Sequence, residues 1–142
     1  MSKTPLDDEL QIAAQQGDLE LVKSLIEQGF EINAFDELGM TALHYAAKNE
    51  HYEVAAYLIE HGAEVNAHHE PTIGNTPLGA IAGNCSLAMA QILVDAGADP
   101  TIRGWMQLNA LDRAMERKRG DGPAVYSLLL LAKKNPRRRK PT

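Results

Sequence analysis

Apolar residues along this chain fall into short stripes that recur at a near-constant interval. Leu21, Val22, Leu25 and Ile26 stand at i, i+1, i+4 and i+5. On a helix of about 3.6 residues per turn that spacing makes one stripe, which a single neighbouring layer can cover. The quartet recurs as Val54, Ala55, Leu58 and Ile59, and again as Met89, Ala90, Leu93 and Val94. A last copy is read at Ala124, Val125, Leu128 and Leu129, behind an insertion of two residues. Other signals keep the same beat. Ala13-Ala14 returns 33 residues later as Ala46-Ala47, and Asn33 returns as Asn66. Thr41-Ala42-Leu43-His44 is echoed by Thr76-Pro77-Leu78-Gly79 and by Asn109-Ala110-Leu111-Asp112. A fixed period of this length is the mark of a repeat architecture.

Each unit reads as two short helices and a turn. Thr41 or Thr76 caps the first helix, its hydroxyl placed to accept from a backbone N–H of the first turn. Pro77 then falls at the first helical position, where a missing N–H costs nothing. The second helix stops at Gly29, Gly62 or Gly97, where a left-handed residue is expected. An extended piece follows, such as Ala63-Glu64-Val65-Asn66-Ala67. Helices this short are marginal alone, so the units must stack to bury their stripes.

Composition narrows the class. With 142 residues, 44% of them apolar, the chain can bury one core and has little room for two. The start, Met1-Ser2-Lys3-Thr4-Pro5-Leu6-Asp7-Asp8, carries no apolar run of the kind a secretion signal needs. No stretch is long and apolar enough to span a bilayer, so no membrane association is expected. The lone Cys85 excludes an internal disulfide framework, which suits a reducing compartment. A cytoplasmic location is the expectation. The net charge of −5 hides an asymmetry: residues 1–102 balance to −13 and residues 103–142 to +8. An acidic field over most of the chain repels nucleic acid and speeds encounters with basic proteins.

The second unit carries a clear resemblance. Asp36-x-x-Gly39-x-Thr41-Ala42-Leu43-His44-x-Ala46-Ala47, followed by His51-x-Glu53-Val54, Leu58-Ile59, Gly62-Ala63 and Val65-Asn66-Ala67, resembles the ankyrin repeat. Glu50 departs from the glycine usual in that family. The third unit keeps Thr76-Pro77-Leu78 and Gly97-Ala98-Asp99 but has Gly79 in place of the histidine. The first begins with Asp8-Glu9-Leu10-Gln11, on a face read as having no neighbour, and the fourth adds Gly120-Asp121-Gly122-Pro123 between its helices. The resemblance implies an all-α ankyrin-repeat solenoid of four helix-turn-helix repeats with β-turn fingers. Its repeats would span about 5–34, 35–67, 68–101 and 102–132, between an N-terminal extension 1–4 and a basic tail 133–142. It also implies a curved stack whose fingers and first helices line a concave face. His44 and His51 are implied to bond between loops and helix starts.

No catalytic or cofactor motif stands out. The sequence lacks G-x-S-x-G, H-E-x-x-H, C-x-x-C, a phosphate-binding loop and a dinucleotide fingerprint. His68-His69-Glu70 is the one run with metal-ligand residue types, and adjacent histidines point apart. No enzyme activity, cofactor or metal is expected. Candidate chemistry is therefore recognition. Matched to the family, the first finger exposes Phe35, Glu37, Leu38 and Met40. The second exposes His69, Glu70, Ile73 and Asn75, and the third Arg103, Trp105, Met106 and Leu108. Lys48, Asn49, Asn84 and Arg117 join them from the first helices. Large apolar residues at such wet positions fit a partner, or else Leu38, Ile73 and Trp105 pack on one another. The expected function is a non-catalytic protein-binding module, monomeric when free. It would be an inhibitor or immunity protein that blocks a basic, toxin-like partner. The third and fourth units are similar to short bacterial ankyrin proteins of the toxin-immunity type. The alternative is a eukaryotic adaptor or a kinase or transcription-factor regulator, with the basic tail 133–142 as a nuclear signal where it is not a contact with the acidic body or partner, or a solvated end.

Overall fold

A computed structural model describes residues 8–69 and 74–134. Among these residues the chain forms eight α-helices and no strand: α1 (Glu9–Gln16), α2 (Leu19–Glu27), α3 (Ala42–Lys48), α4 (Tyr52–Glu60), α5 (Pro77–Ile81), α6 (Leu87–Asp95), α7 (Ala110–Met115) and α8 (Gly122–Lys134). They pair as α1/α2, α3/α4, α5/α6 and α7/α8. The odd-numbered helices pack side by side as one row, and the even-numbered helices form a second row behind them. This is the all-α stack that the periodicity predicts.

Small residues set how closely the first row packs. Ala13, Ala14, Ala46, Ala47, Ala82 and Ala114 have no measurable exposure, so neighbouring helices meet almost backbone to backbone. Leu10, Leu43, Leu78 and Leu111, one per pair, fill the space between the rows. In the second row Val54, Leu58, Met89 and Leu93 are buried as the stripe predicts. The last helix corrects the reading: Ala124 is exposed and Leu128 only half-buried, whereas Val125 and Leu129 are completely buried. Val125 and Leu129 therefore stand where Val54 and Leu58 stand, and the insertion before α8 is one residue longer than the apolar pattern suggests.

Caps and turns follow the residue chemistry. The Oγ1 of Thr76 accepts from Gly79 N, with Pro77 in the first turn. Asp18 accepts from Leu21 N and Asn109 from Asp112 N. Gly29, Gly62 and Gly97 have φ of 97°, 100° and 103°, the left-handed geometry expected after a helix. Beyond them Asn33 and Asn66 tie successive loops together. Asn33 donates to Gly62 O and accepts from Glu64 N; Asn66 donates to Gly97 O and accepts from Asp99 N.

The helix–helix turns show one substitution compensating another. Gly17 has φ +75°, and a Cβ there would lie 2.6 Å from the ring of His51, whose Nε2 bonds Gln15 O. One pair later the equivalent residues are Glu50 and Ser86. Glu50 keeps a left-handed backbone, φ 60°, despite its side chain. Ser86, far smaller than a histidine, leaves room for that side chain. The Glu50 carboxylate accepts from Ser86 N, Ser86 Oγ and the Tyr52 hydroxyl at 3.1, 2.6 and 2.8 Å. From the other side Asp121 accepts from Leu87 N at 2.8 Å. The start of α6 is thus capped by both neighbouring pairs as well as by its own Ser86, which accepts from Met89 N.

Candidate functional site

The finger between α2 and α3 is organised by one carboxylate. Asp36 Oδ1 accepts from Leu38 N and Met40 N at 2.9 and 3.0 Å, and Gly39 N closes the turn on Asp36 O. The other oxygen of Asp36 takes the hydroxyl of Tyr45. Burial, and then that bond, push the Tyr45 phenol well above its ordinary range. At the tip Glu37 is exposed and Leu38 is 55% exposed, while Phe35 and Met40 are half-buried. Phe35 withdraws because its ring lies 5.1 Å from that of His69.

Inside this finger His44 joins two repeats. Its Nδ1 accepts from Thr41 N at 3.0 Å and lies 2.9 Å from the Thr41 hydroxyl. Nε2 lies 2.7 Å from Asn75 O and donates to it, because Nδ1 is already the acceptor. The ring is 1% exposed, and burial holds its pKa below the ordinary 6.5. In the first pair Gln11 takes the same place, 4% exposed, its amide donating to Ala34 O. That buried bond corrects the expectation that Gln11 faces no neighbour.

The finger between α6 and α7 is built without a carboxylate. Gly104 N donates to Leu108 O and Gln107 N to Gly104 O, around a short 3-10 turn at Trp105–Gln107. Gln107 occupies the left-handed position held by Gly39 and Gly74 in the other fingers, and Met106 is left-handed too. Two arginines brace the turn: Arg103 donates to Gln107 O at 2.6 Å and Arg113 to Trp105 O at 3.2 Å. Asn75 Oδ1 accepts from Trp105 N at 3.0 Å, and a Cβ on Gly104 would strike it at 2.1 Å. Held in this way, Trp105 is 55% and Met106 67% exposed; Ile73, which a packed cluster of finger tips would need, lies outside the described residues.

The remaining candidates divide by contact. Lys48, Asn49 and Asn84 are exposed on the first row, with Asn49 donating to Tyr45 O. Leu38, Met40, Lys48 and Asn75 converge on a cleft of about 140 Å³ whose floor includes His44 and Ala80. Asn75 is half-buried and spans two fingers with its carbonyl and its side chain, and Leu108 is half-buried. Arg117 turns inward to Ala82 O at 3.3 Å. Glu70 and Ile73 lie outside the described residues. Sequence reading missed Arg113 and Gln107, which have no special residue type to flag them. The turn at Asp36 was foreshadowed by Gly39 three residues later, a turn-forming spacing; its bond to Tyr45 was not.

His68 and His69 serve separate contacts: His68 Nδ1 lies 2.9 Å from Asn66 O, and His69 lies against Phe35. Among the described residues no group of three or more His, Cys, Asp or Glu side chains could hold a metal ion. Cys85 is buried, and burial raises its thiol pKa. No described helix is long and apolar enough to cross a membrane. What the geometry offers chemically is a braced, partly apolar surface.

Residues 10–104 match the family model described as "Ankyrin repeats (3 copies)"; all of α7 and α8 lie beyond that match. The chain is 34% identical over 119 residues to the mouse nuclear factor NF-kappa-B p105 subunit. That match covers 82% of this chain and 12% of the relative. It is 43% identical over 44 residues to the eye-specific diacylglycerol kinase of Drosophila melanogaster, 31% of this chain and 3% of that one. The chain thus spans a small fraction of the curated relatives it matches. The helix pairs, the left-handed glycines, the bonding of His44 and the family match over 10–104 agree: this chain belongs to the ankyrin-repeat family, a family of protein-interaction modules.

Proposed function

We propose that this chain is a non-catalytic cytoplasmic inhibitor of the immunity type, which binds and blocks a basic protein through its finger face. The exposure of Trp105 and Met106 on the braced third finger carries the reading. Large apolar side chains held in solvent on a rigid turn lose little freedom on binding, which is what concentrates energy in a few anchors. The cleft beside Leu38 and Met40 offers a second anchor point, and the acidic balance of residues 1–102 favours a basic partner.

The test needs a partner recovered by affinity capture on the whole protein. Trp105→Ala is expected to weaken that complex about thirtyfold, the equivalent of about 2 kcal/mol. The melting temperature should stay within a degree or so of the parent, since Trp105 adds little to the core. Association should slow markedly between low and physiological salt while dissociation hardly changes. Unaltered affinity in Trp105→Ala, with a folded protein, would refute the finger assignment; a salt-indifferent association rate would refute the basic partner.

A second reading draws on the similarity to the mouse nuclear factor subunit: a regulator of a transcription factor or kinase. Capture of a nuclear regulatory protein in place of a toxin-like one would select it. The proposed nuclear signal falls on the basic tail 133–142, of which residues 135–142 lie outside the described residues.

A further inference from the structure

The two end pairs carry large apolar side chains at positions that the middle of the stack buries. Along the second row one register runs Leu21, Val54, Met89. Val54 and Met89, each with a pair packed before it, are 2% and 0% exposed, whereas Leu21 is 40% exposed. Along the first row another register runs Ala14, Ala47, Ala82, Met115. The three alanines, each with a pair packed after it, have no exposure, and Met115 is 58% exposed. Leu21 therefore marks the stacking face that α1/α2 turns away from the described repeats, and Met115 the opposite face on α7/α8. Ile12, 46% exposed, adds to the apolar surface of α1. A terminal repeat whose outer face meets only water is normally polar there.

The charges at the two ends are opposite. The α1/α2 pair exposes Asp18, Glu20 and Glu27 against the single base Lys23. The α7/α8 pair exposes Lys118, Arg119, Lys133 and Lys134, which outnumber its exposed acids Glu116 and Asp121. Each end thus offers the register position that the other end lacks and a charge balance of the opposite sign.

We propose that the α1/α2 face of one copy docks on the α7/α8 face of a second copy, continuing the stack head to tail. Such a contact is heterologous: it uses a different face on each partner and leaves one of each unused, so assembly grows with concentration.

The test is light scattering on the whole chain from micromolar to millimolar concentration at low salt. The mass should climb above the 15.5 kDa of one chain and fall back at high salt. Leu21→Lys disables one face and Met115→Glu the other, so each variant alone should stay at single-chain mass, with its helical melt intact. Their equimolar mixture should form a dimer and go no further, because each variant contributes its one working face. A parent protein at single-chain mass throughout overturns the proposal. So does a mixture that fails to dimerise. Loss of association in only one variant would mean that one face pairs with itself, which also overturns it.

Discussion

A proton is the simplest probe of His44. With Nδ1 accepting from Thr41 N and Nε2 donating to Asn75 O, the buried ring uses both nitrogens as a neutral imidazole. Protonating Nδ1 would set N–H against N–H in a site that water cannot reach. The folded pKa is accordingly depressed below 6.5, so the unfolded chain takes up this proton first as pH falls. Stability from this residue is full above about 6.5 and is lost as pH drops from there through the folded pKa. Urea unfolding at successive pH values should show that loss, and His44→Gln should reduce it. Glutamine is the right control because Gln11, at the same register in the first pair, is buried and donates to a loop carbonyl without a titratable group. A pH profile identical in the two proteins would exclude His44 as the source. At this scale the resemblance identified His44, but the second partner, Asn75, was read as surface. A backbone carbonyl makes the bond, and no side-chain type announces it.

At the scale of the helix, the exchange of His51 for Ser86 and of Gly17 for Glu50 is a matched pair of changes. A left-handed non-glycine residue costs about 1–2 kcal/mol, and the three bonds from Glu50 offset it at about 1 kcal/mol or more each. Glu50→Gly, although it installs the residue the family favours, is therefore expected to lower stability by about 1–2 kcal/mol. Adding Ser86→His should recover part of that loss, by rebuilding the contact that His51 makes with Gln15 O. Denaturant midpoints for the two single variants and the double variant measure the coupling; simple additivity would dissolve the pairing. The same scale shows what the apolar pattern could and could not give. Helix pairing, capping and the left-handed glycines were legible because each rests on a residue with one strong preference. The register of α8 was not. Val125, Tyr126, Leu129 and Leu130 have the same i, i+1, i+4, i+5 spacing as Ala124, Val125, Leu128 and Leu129, and only contact with α6 chooses between them.

For the whole molecule, a linear stack held by nearest-neighbour contacts should loosen from its ends inward. The family, the layers and the charge polarity were all visible in the sequence, because period and composition survive without coordinates. Which finger residues stay in solvent was visible only in part: Glu37, Leu38, Trp105 and Met106 are exposed as read, while Phe35, Met40, Asn75 and Leu108 are half-buried. Exposure of Trp105 depends on Arg103, Arg113 and Asn75 arriving from three different places in the chain. The double capping of α6 changes how that loosening proceeds. Ser86 N is held by Glu50 of the pair before and Leu87 N by Asp121 of the pair after. If either neighbour melts, the first turn of α6 loses a charged cap at once. The third pair therefore senses both sides of the stack, and the amides at the start of α6 should exchange with deuterium only through openings that take a neighbour with them. Asp121→Ala should speed exchange at Leu87 and through α7/α8 while leaving α1/α2 at its original rate. If protection falls evenly along the chain instead, the stack opens as one unit and the caps on α6 have no special hold over it.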